Sequence, residues 1–326
     1  MGSKIKSIED IQGLSYSFMA SQTFLSGIEL DIFTCIGREK LQSSIVSKRT
    51  GSSLRGTEAL LNALAGMGLI IKDRQGRFRN APLSLKHLVR GGKDFIADGF
   101  RHAYSQYKDW GMLAESVRSG KPLQGSRDSR RFFLAMHYNG IQKAKILSER
   151  INTGTPVKML DLGSGPGTYT IQLLEKHKTL QSVLVDFEDA HKWARRFGKE
   201  AGVLGRMKFI NGDFLKADPG TDYDIALLSN IIHIYSEKEN LRLIKKIKGC
   251  LKQSGLIIIH DIFLDESKTT PLRASLFSLN MLLHTNGGRS YSRGEAADWL
   301  AKTGFQKSTY LPFMNNTGAV TALNGR

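Results

Sequence analysis

Acidic residues and glycines in residues 157–167 have the types and spacing of a site for a nucleotide-like ligand. The run Val-Lys-Met-Leu-Asp-Leu-Gly-Ser-Gly-Pro-Gly predicts a buried strand that carries Asp161 and then turns into a helix. Gly163, Gly165 and Gly167 let the backbone take positive φ and let its amides approach a ligand closely. A dinucleotide fingerprint needs glycine at position 168, which is a threonine here, so we do not expect a dinucleotide.

Two more short apolar runs are followed by acids. Asp161 suits a ligand that presents amine and hydroxyl donors and no phosphate, as the methionine part of S-adenosylmethionine does. Asp186 ends the predicted strand 182–186, at the spacing where such folds place a carboxylate on ribose hydroxyls. Asp213 and Phe214 follow a third predicted strand, residues 207–210.

Together these elements resemble the class I S-adenosylmethionine-dependent methyltransferases, in which an acid and its neighbouring aromatic at the third position flank the adenine. The resemblance implies that S-adenosylmethionine is the cofactor. We predict that it is bound by Asp161, Gly163, Gly165, Gly167, Asp186, Asp213 and Phe214, with Ser229 and Asn230 at the end of the next strand.

Length and composition indicate two domains without a membrane span. The chain has 326 residues, more than one core usually supports, and we place the boundary between 1–150 and 151–326. It has no apolar stretch near the roughly 20 residues of a membrane span and no apolar signal core, so we expect a cytoplasmic protein. Cys35 and Cys250 lack metal-site spacing, so we expect them reduced and buried, with no metal bound.

The formal net charge of +17 raises nucleic acid as a partner. Part of the charge lies on a predicted helix whose basic residues surround an apolar stripe, which is typical of a solvated face. The basic residues are Arg242, Lys245, Lys246, Lys248 and Lys252, and the stripe is Leu241, Ile244, Ile247 and Leu251.

The first domain is predicted to be helical with a two-stranded wing. An apolar pattern over 14–35 predicts a helix or helix pair, and two short helices and the strands 69–72 and 77–80 follow. A winged helix can read DNA with its second helix. Between positions 57 and 69 that helix has no Arg or Lys to contact phosphate or guanine, so nucleic-acid binding is disfavoured and packing against a second subunit is favoured.

The whole chain resembles the two-domain small-molecule O-methyltransferases, whose plant members include caffeate and flavonoid enzymes and whose bacterial members modify antibiotics and pigments. In that family the winged-helix segment forms the dimer and adds a wall to the partner's substrate pocket. The resemblance implies a homodimer and a small-molecule acceptor. The predicted fold is α/β: a Rossmann-like sheet of seven strands with the last strand reversed, preceded by the helical domain.

His233 is the candidate catalytic residue. It follows the predicted strand 223–229 and therefore lies at the carboxyl edge of the sheet, where open α/β folds bind ligands. Imidazole accepts protons near neutral pH, so it could remove the proton of an acceptor hydroxyl. The alternative is a structural histidine that caps the helix beginning near Ser236. In plant relatives the matching histidine is the general base, and the two residues that follow it there differ here.

A histidine base is usually oriented by an acceptor on its second ring nitrogen. Asp261 follows the predicted strand 256–259 and is the candidate, with the neighbouring His260 as the alternative. The second orienting Glu of plant relatives would fall near Ser290 or Tyr291 and is missing here.

Residues that could line an acceptor pocket occur at helical spacing in two segments. Met and Phe side chains suit a flat aromatic molecule, although the same pattern is typical of an ordinary core. The predicted lining residues are Met136, His137, Phe277, Asn280, Met281 and His284, with Phe133 beside them.

Three other functions remain open. A nucleic-acid base methyltransferase, such as an rRNA enzyme, fits the charge, but the chain lacks the Asn/Asp-Pro-Pro-Tyr and Pro-Cys motifs of those enzymes. A winged-helix regulator that senses S-adenosylmethionine would not need His233. The third is a variant of the same fold that methylates carbon or catalyses another reaction, which the sequence alone does not exclude.

Overall fold

The computed structural model describes residues 5–92, 94–125, 128–314 and 317–325. Their contacts divide the chain into two compact units. One unit is Met1–Lys108 with Arg130–Tyr138, and the other is Asp109–Ser129 with Asn139–Arg326. In chain order the helices are α1 (Ile8–Glu29), α2 (Ile32–Ile36), α3 (Ser43–Thr50), α4 (Leu54–Gly66), α5 (Pro82–His87), α6 (Asp98–Gly111), α7 (Leu113–Ser119), α8 (Ser129–Arg150), α9 (Thr168–Lys176), α10 (Glu188–Glu200), α11 (Glu237–Cys250), α12 (Leu272–His284) and α13 (Arg293–Lys302). The predicted boundary between residues 150 and 151 stays a prediction, because α8 contributes to both units.

Short apolar runs form the strands. They are β1 (Ile70–Lys72), β2 (Phe78–Asn80), β3 (Lys158–Leu162), β4 (Gln181–Asp186), β5 (Met207–Asn211), β6 (Tyr223–Ser229), β7 (Leu251–Ile262), β8 (Phe305–Pro312) and β9 (Thr317–Asn324). In the described part of the chain, β3 to β9 make one seven-stranded sheet in the order β5-β4-β3-β6-β7-β9-β8. Strands β3 to β7 pair in parallel, and β9 pairs antiparallel with both β7 and β8.

The predicted seven-stranded α/β fold with a reversed last strand is therefore confirmed. The turn predicted between its last two strands includes Asn315 and Asn316, which lie outside the described residues. Burial explains the parallel part, because β3, β4 and β6 are apolar runs that are buried nearly along their whole length. Strand order changes direction at β3, which has β4 on one side and β6 on the other, so a ligand crevice is expected at the carboxyl ends of these strands.

Strand β7 is longer than predicted, and this corrects the position of Asp261. The prediction was a strand over 256–259 with Asp261 behind it, whereas β7 runs from Leu251 to Ile262 and includes Asp261. The polar residues 252–254 interrupted the apolar pattern, and a register shift between Tyr223 and Ile225 accommodates them. Pairing with β9 then extends the other end as far as Ile262.

Helix α11 begins where predicted but ends earlier. Ser236 caps it in a capping box with Glu239, since each side chain accepts a hydrogen bond from the other's backbone amide. Leu251 and Lys252 belong to β7, so the predicted stripe and basic face were too long.

Two of the predicted solvated lysines are also engaged inside the protein. The ammonium of Lys246 donates to the carbonyls of Phe214 and Ala217, and that of Lys248 donates to the carbonyl of Gly304 at 2.8 Å. These two ammonium groups therefore stabilise backbone segments of the protein itself and are not available to bind a polyanion such as nucleic acid.

The first unit has its own apolar core beneath the two-stranded wing. Ile28, Phe33, Leu61 and Ile70 are among its fully buried members. Asn80, at the end of β2, donates from its side-chain amide to the backbone carbonyls of Phe33 and Gly37, at 2.8 and 2.9 Å. The predicted helix pair and wing are confirmed as α1, α2, β1 and β2.

Two expectations for the first unit are corrected. Helix α4 begins at Leu54, because Ser53 caps it, and its first turn therefore carries the exposed Arg55 in a helix predicted to lack basic residues. Cys35 is a free thiol that is only partly buried, whereas Cys250 is free and buried as expected.

Among the residues that the structure describes, no helix is long and apolar enough to cross a membrane. Over the same residues, no group of three His, Cys, Asp or Glu side chains is arranged to hold a metal ion.

Candidate active site

The turn between β3 and α9 requires glycine. Gly163, Gly165 and Gly167 have φ of +72°, +53° and +72°, which residues with a Cβ rarely adopt. A Cβ on Gly163 would also lie 2.2 Å from Cδ1 of Ile231 and 3.1 Å from Cε1 of Phe214. The turn therefore packs its backbone closely against these two side chains, and its three glycine amides donate to Val185, Asp186 and Ser164.

Asp161 lies in β3 just before this turn and has an unused acceptor. Its side chain is buried, and Oδ2 accepts a 2.5 Å hydrogen bond from the hydroxyl of Thr170 in α9. Oδ1 is buried with no hydrogen-bond partner among the described residues. Burial, with a smaller contribution from Asp186, raises the pKa of Asp161 to about 7. A buried acceptor without a donor fits a ligand that brings an ammonium group.

Asp186 ends β4 and is held against the glycine turn. Its Oδ2 accepts from the amide of Gly165 at 2.8 Å and its Oδ1 from the amide of Phe187 at 2.7 Å. Burial raises the pKa of Asp186. Each carboxylate oxygen retains a free lone pair, so the fixed group can still accept from ribose hydroxyls.

Asp213 and Phe214 follow β5, as predicted, but their side chains differ in environment. Oδ1 of Asp213 accepts from the amide of Leu215 at 2.9 Å, which shapes the turn. The Phe214 ring is buried, and it packs edge-on against Tyr235 with ring centroids 5.8 Å apart. The Phe214 ring therefore packs against the glycine turn at Gly163 on one side and against Tyr235 on another.

His233 and Asp261 are in direct contact. Nδ1 of His233 lies 2.7 Å from Oδ1 of Asp261, which also accepts from the amide of Ile262 at 2.7 Å. Oδ2 of Asp261 is buried and without a partner in the described part of the chain. An ionised carboxylate can only accept hydrogen bonds, so the proton in this contact is assigned to Nδ1 of His233, which leaves Nε2 as an acceptor.

The surroundings of His233 agree with a held but accessible ring. It lies in a 3₁₀ turn, residues 232–234, directly after β6, and its side chain is 10% exposed. The Phe277 ring packs edge-on against it at 4.8 Å between centroids. Ser236 caps α11 through its own hydroxyl, so the alternative role of His233 as the helix cap is not observed.

His260 faces away from His233. Its Nδ1 lies 3.1 Å from the hydroxyl oxygen of Ser229, and its ring packs between Tyr169 and Phe313 at centroid distances of 4.9 and 5.7 Å. Burial lowers the pKa of His260 to about 3, so the ring is neutral at physiological pH. Successive side chains of a strand point to opposite faces of the sheet, so His260 and Asp261 point to different faces of β7. Asp261 points to the face on which His233 lies.

Ser229 and Asn230 join these elements at the end of β6. The amide nitrogen of the Asn230 side chain donates to the hydroxyl of Ser229 at 3.2 Å and lies 3.5 Å from that of Tyr169. Asn230 has a φ of +58°, so the chain turns sharply here toward His233. The polar groups of β6, β7 and α9 thus meet beside the glycine turn.

The predicted acceptor-lining residues fall into two groups. Phe277, Asn280, Met281 and His284 lie in α12, where Phe277 contacts His233. Asn280 accepts from the indole of Trp110 at 3.3 Å, and Nε2 of His284 lies 3.8 Å from a carboxylate oxygen of Asp109.

The second group, Met136 and His137, lies in α8 and belongs to the first unit. Their role stays a prediction.

Ser290 and Tyr291, where plant relatives have a second Glu, are buried and bonded to backbone carbonyls. Ser290 donates to Ala274 at 2.8 Å, and the Tyr291 hydroxyl donates to Tyr235 at 2.7 Å. The segment packs under His233, because a Cβ on Gly288 would lie 2.2 Å from the His233 carbonyl oxygen. These residues support the turn that carries His233, and they supply no second carboxylate.

Two residues of this site were missed by the sequence reasoning. Tyr169 lies in the first turn of α9, and burial raises its pKa to about 12, so it stays a neutral hydroxyl. Phe187 follows Asp186, donates its amide to Oδ1 of that acid, and has a side chain that is 59% exposed. The sequence did contain a signal for both residues, because Tyr169 comes just after the glycine turn and Phe187 comes directly after Asp186.

Comparisons with known proteins identify the family. The family model described as "O-methyltransferase domain" matches residues 126–306, more than half of the chain. The model described as "O-methyltransferase dimerisation domain" matches residues 13–90. The two matches fall on the sheet-containing part and on the helical, winged part of the chain.

Individual relatives are similar over nearly the whole chain. The tetracenomycin polyketide synthesis 8-O-methyl transferase TcmO of Streptomyces glaucescens is 27% identical over 308 residues, 91% of this chain and 91% of the relative. The 3-hydroxy-5-methyl-1-naphthoate 3-O-methyltransferase of Streptomyces sahachiroi is 28% identical over 305 residues, 89% of this chain and 87% of the relative. Human N-acetylserotonin methyltransferase, solved in complex with S-adenosylmethionine, has the same fold, with a TM-score of 0.89 at 22% identity over 100% of both chains. This chain belongs to the S-adenosylmethionine-dependent O-methyltransferase family whose members carry an amino-terminal dimerisation domain.

Proposed function

We propose that this enzyme methylates a hydroxyl group of a small aromatic molecule and that His233 is its general base. The observation that carries the proposal is the 2.7 Å contact between His233 and Asp261 at the sheet edge that also holds the glycine turn. The two bacterial relatives are named for a polyketide and a hydroxynaphthoate, which supports an aromatic acceptor.

The cofactor fits the residues present. S-adenosylmethionine, when bound, supplies an electrophilic sulfonium methyl. We assign its ammonium group to the unpartnered Oδ1 of Asp161 and its ribose hydroxyls to Asp186. Asp213 and Phe214 would hold the adenine, with Ser229 and Asn230 at the adjoining strand end. Binding in this orientation lets the protein fix the methyl donor relative to the base.

His233 would take the proton of the acceptor hydroxyl on Nε2. Asp261 keeps the second ring nitrogen protonated and would stabilise the imidazolium that forms. Phe277 holds one edge of the ring, so the base is oriented before the acceptor arrives. General-base catalysis of this kind typically contributes roughly 10² to 10⁴ in rate.

A homodimer is the proposed assembly. The dimerisation model covers residues 13–90. Helix α1 presents an apolar stripe with 48% to 63% exposure, and such a stripe is typical of an interface. Its residues are Ile8, Ile11, Leu14, Phe18 and Met19.

The Asp161 assignment predicts a pH-dependent affinity for the cofactor product, S-adenosylhomocysteine, which has the same ammonium group. The pKa of Asp161 is raised to about 7, so its carboxylate is present above that pH and protonated below it. Affinity should therefore fall by about tenfold per pH unit as the pH drops below 7, and above that pH it should stay constant until the ammonium group of the ligand itself loses its proton. Calorimetry checks this, and Asp161→Asn should bind weakly with a flattened pH dependence. A wild-type slope that Asp161→Asn retains would remove Asp161 from the ammonium site.

The acceptor class is tested with isotopically labelled S-adenosylmethionine. A cell extract is separated into small-molecule and nucleic-acid fractions, and each is incubated with the enzyme. We expect label in small molecules, as an O-methyl group by NMR. Label in nucleic acid, or a C-methyl product, would overturn the proposed acceptor chemistry.

A further inference from the structure

Asn240 is a buried polar residue that the mechanism above does not use. It lies near the beginning of α11, and its side chain is fully buried. Its Nδ2 donates to the backbone carbonyls of Ile232 at 2.8 Å and of Tyr235 at 3.2 Å. Ile232 directly precedes His233 and Tyr235 follows it by two residues, so one amide group holds the chain on both sides of the base.

The turn that carries His233 is weakly closed by its own backbone. It is a single 3₁₀ turn, residues 232–234, and such turns have poorer hydrogen-bond geometry than an α-helix. The amide of Tyr235 donates to the Ile232 carbonyl at 3.4 Å, which is long for an N–H···O bond. In the described part of the chain, Asn240 is the only side chain that donates to the carbonyl directly before the base.

Other contacts hold the ring of His233 and the backbone after it. Asp261 lies 2.7 Å from Nδ1 of the ring, and the Phe277 ring packs against it at 4.8 Å between centroids. The Tyr291 hydroxyl donates to the backbone two residues after the base. Asn240 therefore adds the support before the base, at the point where the chain enters the turn.

The amide of Asn240 is kept at a cost in free energy. Its Oδ1 is buried and has no hydrogen-bond partner among the described residues. A leucine of similar shape would avoid burying that acceptor, but it could not donate to a carbonyl. A buried amide of this kind is expected where its donors do something that an apolar side chain cannot, and here they hold the turn of the base.

We propose that Asn240 is a positioning residue for the base, which sets where the His233 ring lies relative to the acceptor hydroxyl. The inference rests on the proposed function. Proton transfer requires Nε2 within hydrogen-bond reach of that hydroxyl, so a small displacement of the turn slows the reaction. Because Asn240 is fully buried, it acts through the carbonyls of Ile232 and Tyr235 and not by contact with the acceptor.

Steady-state kinetics on the intact enzyme test the proposal with two acceptors. One is a weakly acidic phenol, which needs a base, and the other is a nitrophenol that is already ionised at the assay pH and needs none. The first variant is Asn240→Leu, which removes both donors. The second is Asn240→Ala, which removes the same donors without adding bulk and serves if the leucine variant does not fold.

Asn324→Leu is the matched control. Asn324 is buried at the end of β9, and its Oδ1 also lacks a partner within the described ranges. Its Nδ2 donates at 3.0 to 3.2 Å to three backbone carbonyls at the other end of α11, those of Lys248, Leu251 and Lys252. The control therefore makes the same change to a buried amide that holds a different turn.

We expect the Asn240 variants to lower kcat for the weakly acidic phenol by about tenfold or more. Their kcat for the nitrophenol should stay within about twofold of wild type. Asn324→Leu should leave the ratio of the two kcat values unchanged, whatever it does to stability. The proposal is overturned if the Asn240 variants lower kcat equally for both acceptors, as a purely structural role would, or if they keep the wild-type kcat for both.

Failure of the proposed function is detected separately. The Nδ1 proton of His233 lies in the 2.7 Å contact with Asp261, so we expect a downfield proton NMR resonance that His233→Ala removes. Asn240→Leu should shift this resonance and Asn324→Leu should not, and neither result needs methyl transfer. Absence of any O-methylated phenol with wild type would contradict the proposed function, whereas an unchanged resonance in Asn240→Leu would contradict the role of Asn240.

Discussion

Replacing His233 by alanine is expected to lower kcat for a phenolic acceptor by about 10² to 10⁴. The change removes the group that accepts the hydroxyl proton and leaves the glycine turn, Asp161 and Asp186 in place. Affinity for S-adenosylhomocysteine should therefore stay within about twofold of wild type. Steady-state kinetics and calorimetry on the same preparations measure both quantities.

His177→Ala is the matched control for this substitution. His177 follows the last residue of α9, at the opposite end of that helix from the glycine turn, and its ring makes a hydrogen bond with Thr153 at 2.7 Å. Its loss should leave kcat near the wild-type value. If His233→Ala retained wild-type kcat while remaining folded, His233 would have no part in the reaction.

Replacing Asp261 by asparagine is expected to lower kcat by about a hundredfold. Two donors point at Oδ1, from His233 and from the amide of Ile262, so the asparagine oxygen should occupy that place and the ring should keep its tautomer. The substitution removes the negative charge that stabilises the imidazolium. The hydrogen bond to that charge contributes about 2–3 kcal/mol, which is the expected rise in the activation free energy.

The same substitution should destabilise the protein. The charged Oδ1 accepts from His233 and from the amide of Ile262, and a neutral amide oxygen in its place makes both hydrogen bonds weaker, at a cost of about 1–3 kcal/mol. Denaturant unfolding measures this cost. Asp265→Asn, just after β7 at a more exposed position, is the control. Its effects on kcat and on the free energy of unfolding should both be much smaller than those of Asp261→Asn. A kcat for Asp261→Asn equal to wild type would show that the carboxylate does not support the base.

The central part of the sheet and the glycine turn could be predicted from the sequence because their signals are local. Strand β6 has the predicted bounds 223–229, since its apolar run ends in polar residues at both sides. The glycines at 163, 165 and 167 all take positive φ, as the turn required.

The sequence suggested a contact between His233 and Asp261, but it could not establish one. The contact depends on the register of β6 against β7, in which Ser229 pairs with His260, and on the side of the pleat that each side chain takes. The neighbouring His260 left the alignment with the orienting residue of plant relatives uncertain by one residue.

Other features depend on contacts across elements and had no sequence signal. Tyr169, His260 and Phe313 come from a helix, a strand and a strand end that are far apart in the chain, yet their rings pack together. Lys246 was predicted to be solvated because helical periodicity describes a face and cannot show that a neighbouring loop presents carbonyls to it.

The most direct test of the central claim compares wild type with His233→Ala on a series of phenols of increasing acidity. A general base is needed only while the hydroxyl keeps its proton, so the ratio of the two kcat/KM values should fall from about 10² or more for a weakly acidic phenol toward one for a nitrophenol already ionised at the assay pH. A ratio that stays constant across the series would contradict the account, because His233 would then be positioning the acceptor without removing its proton.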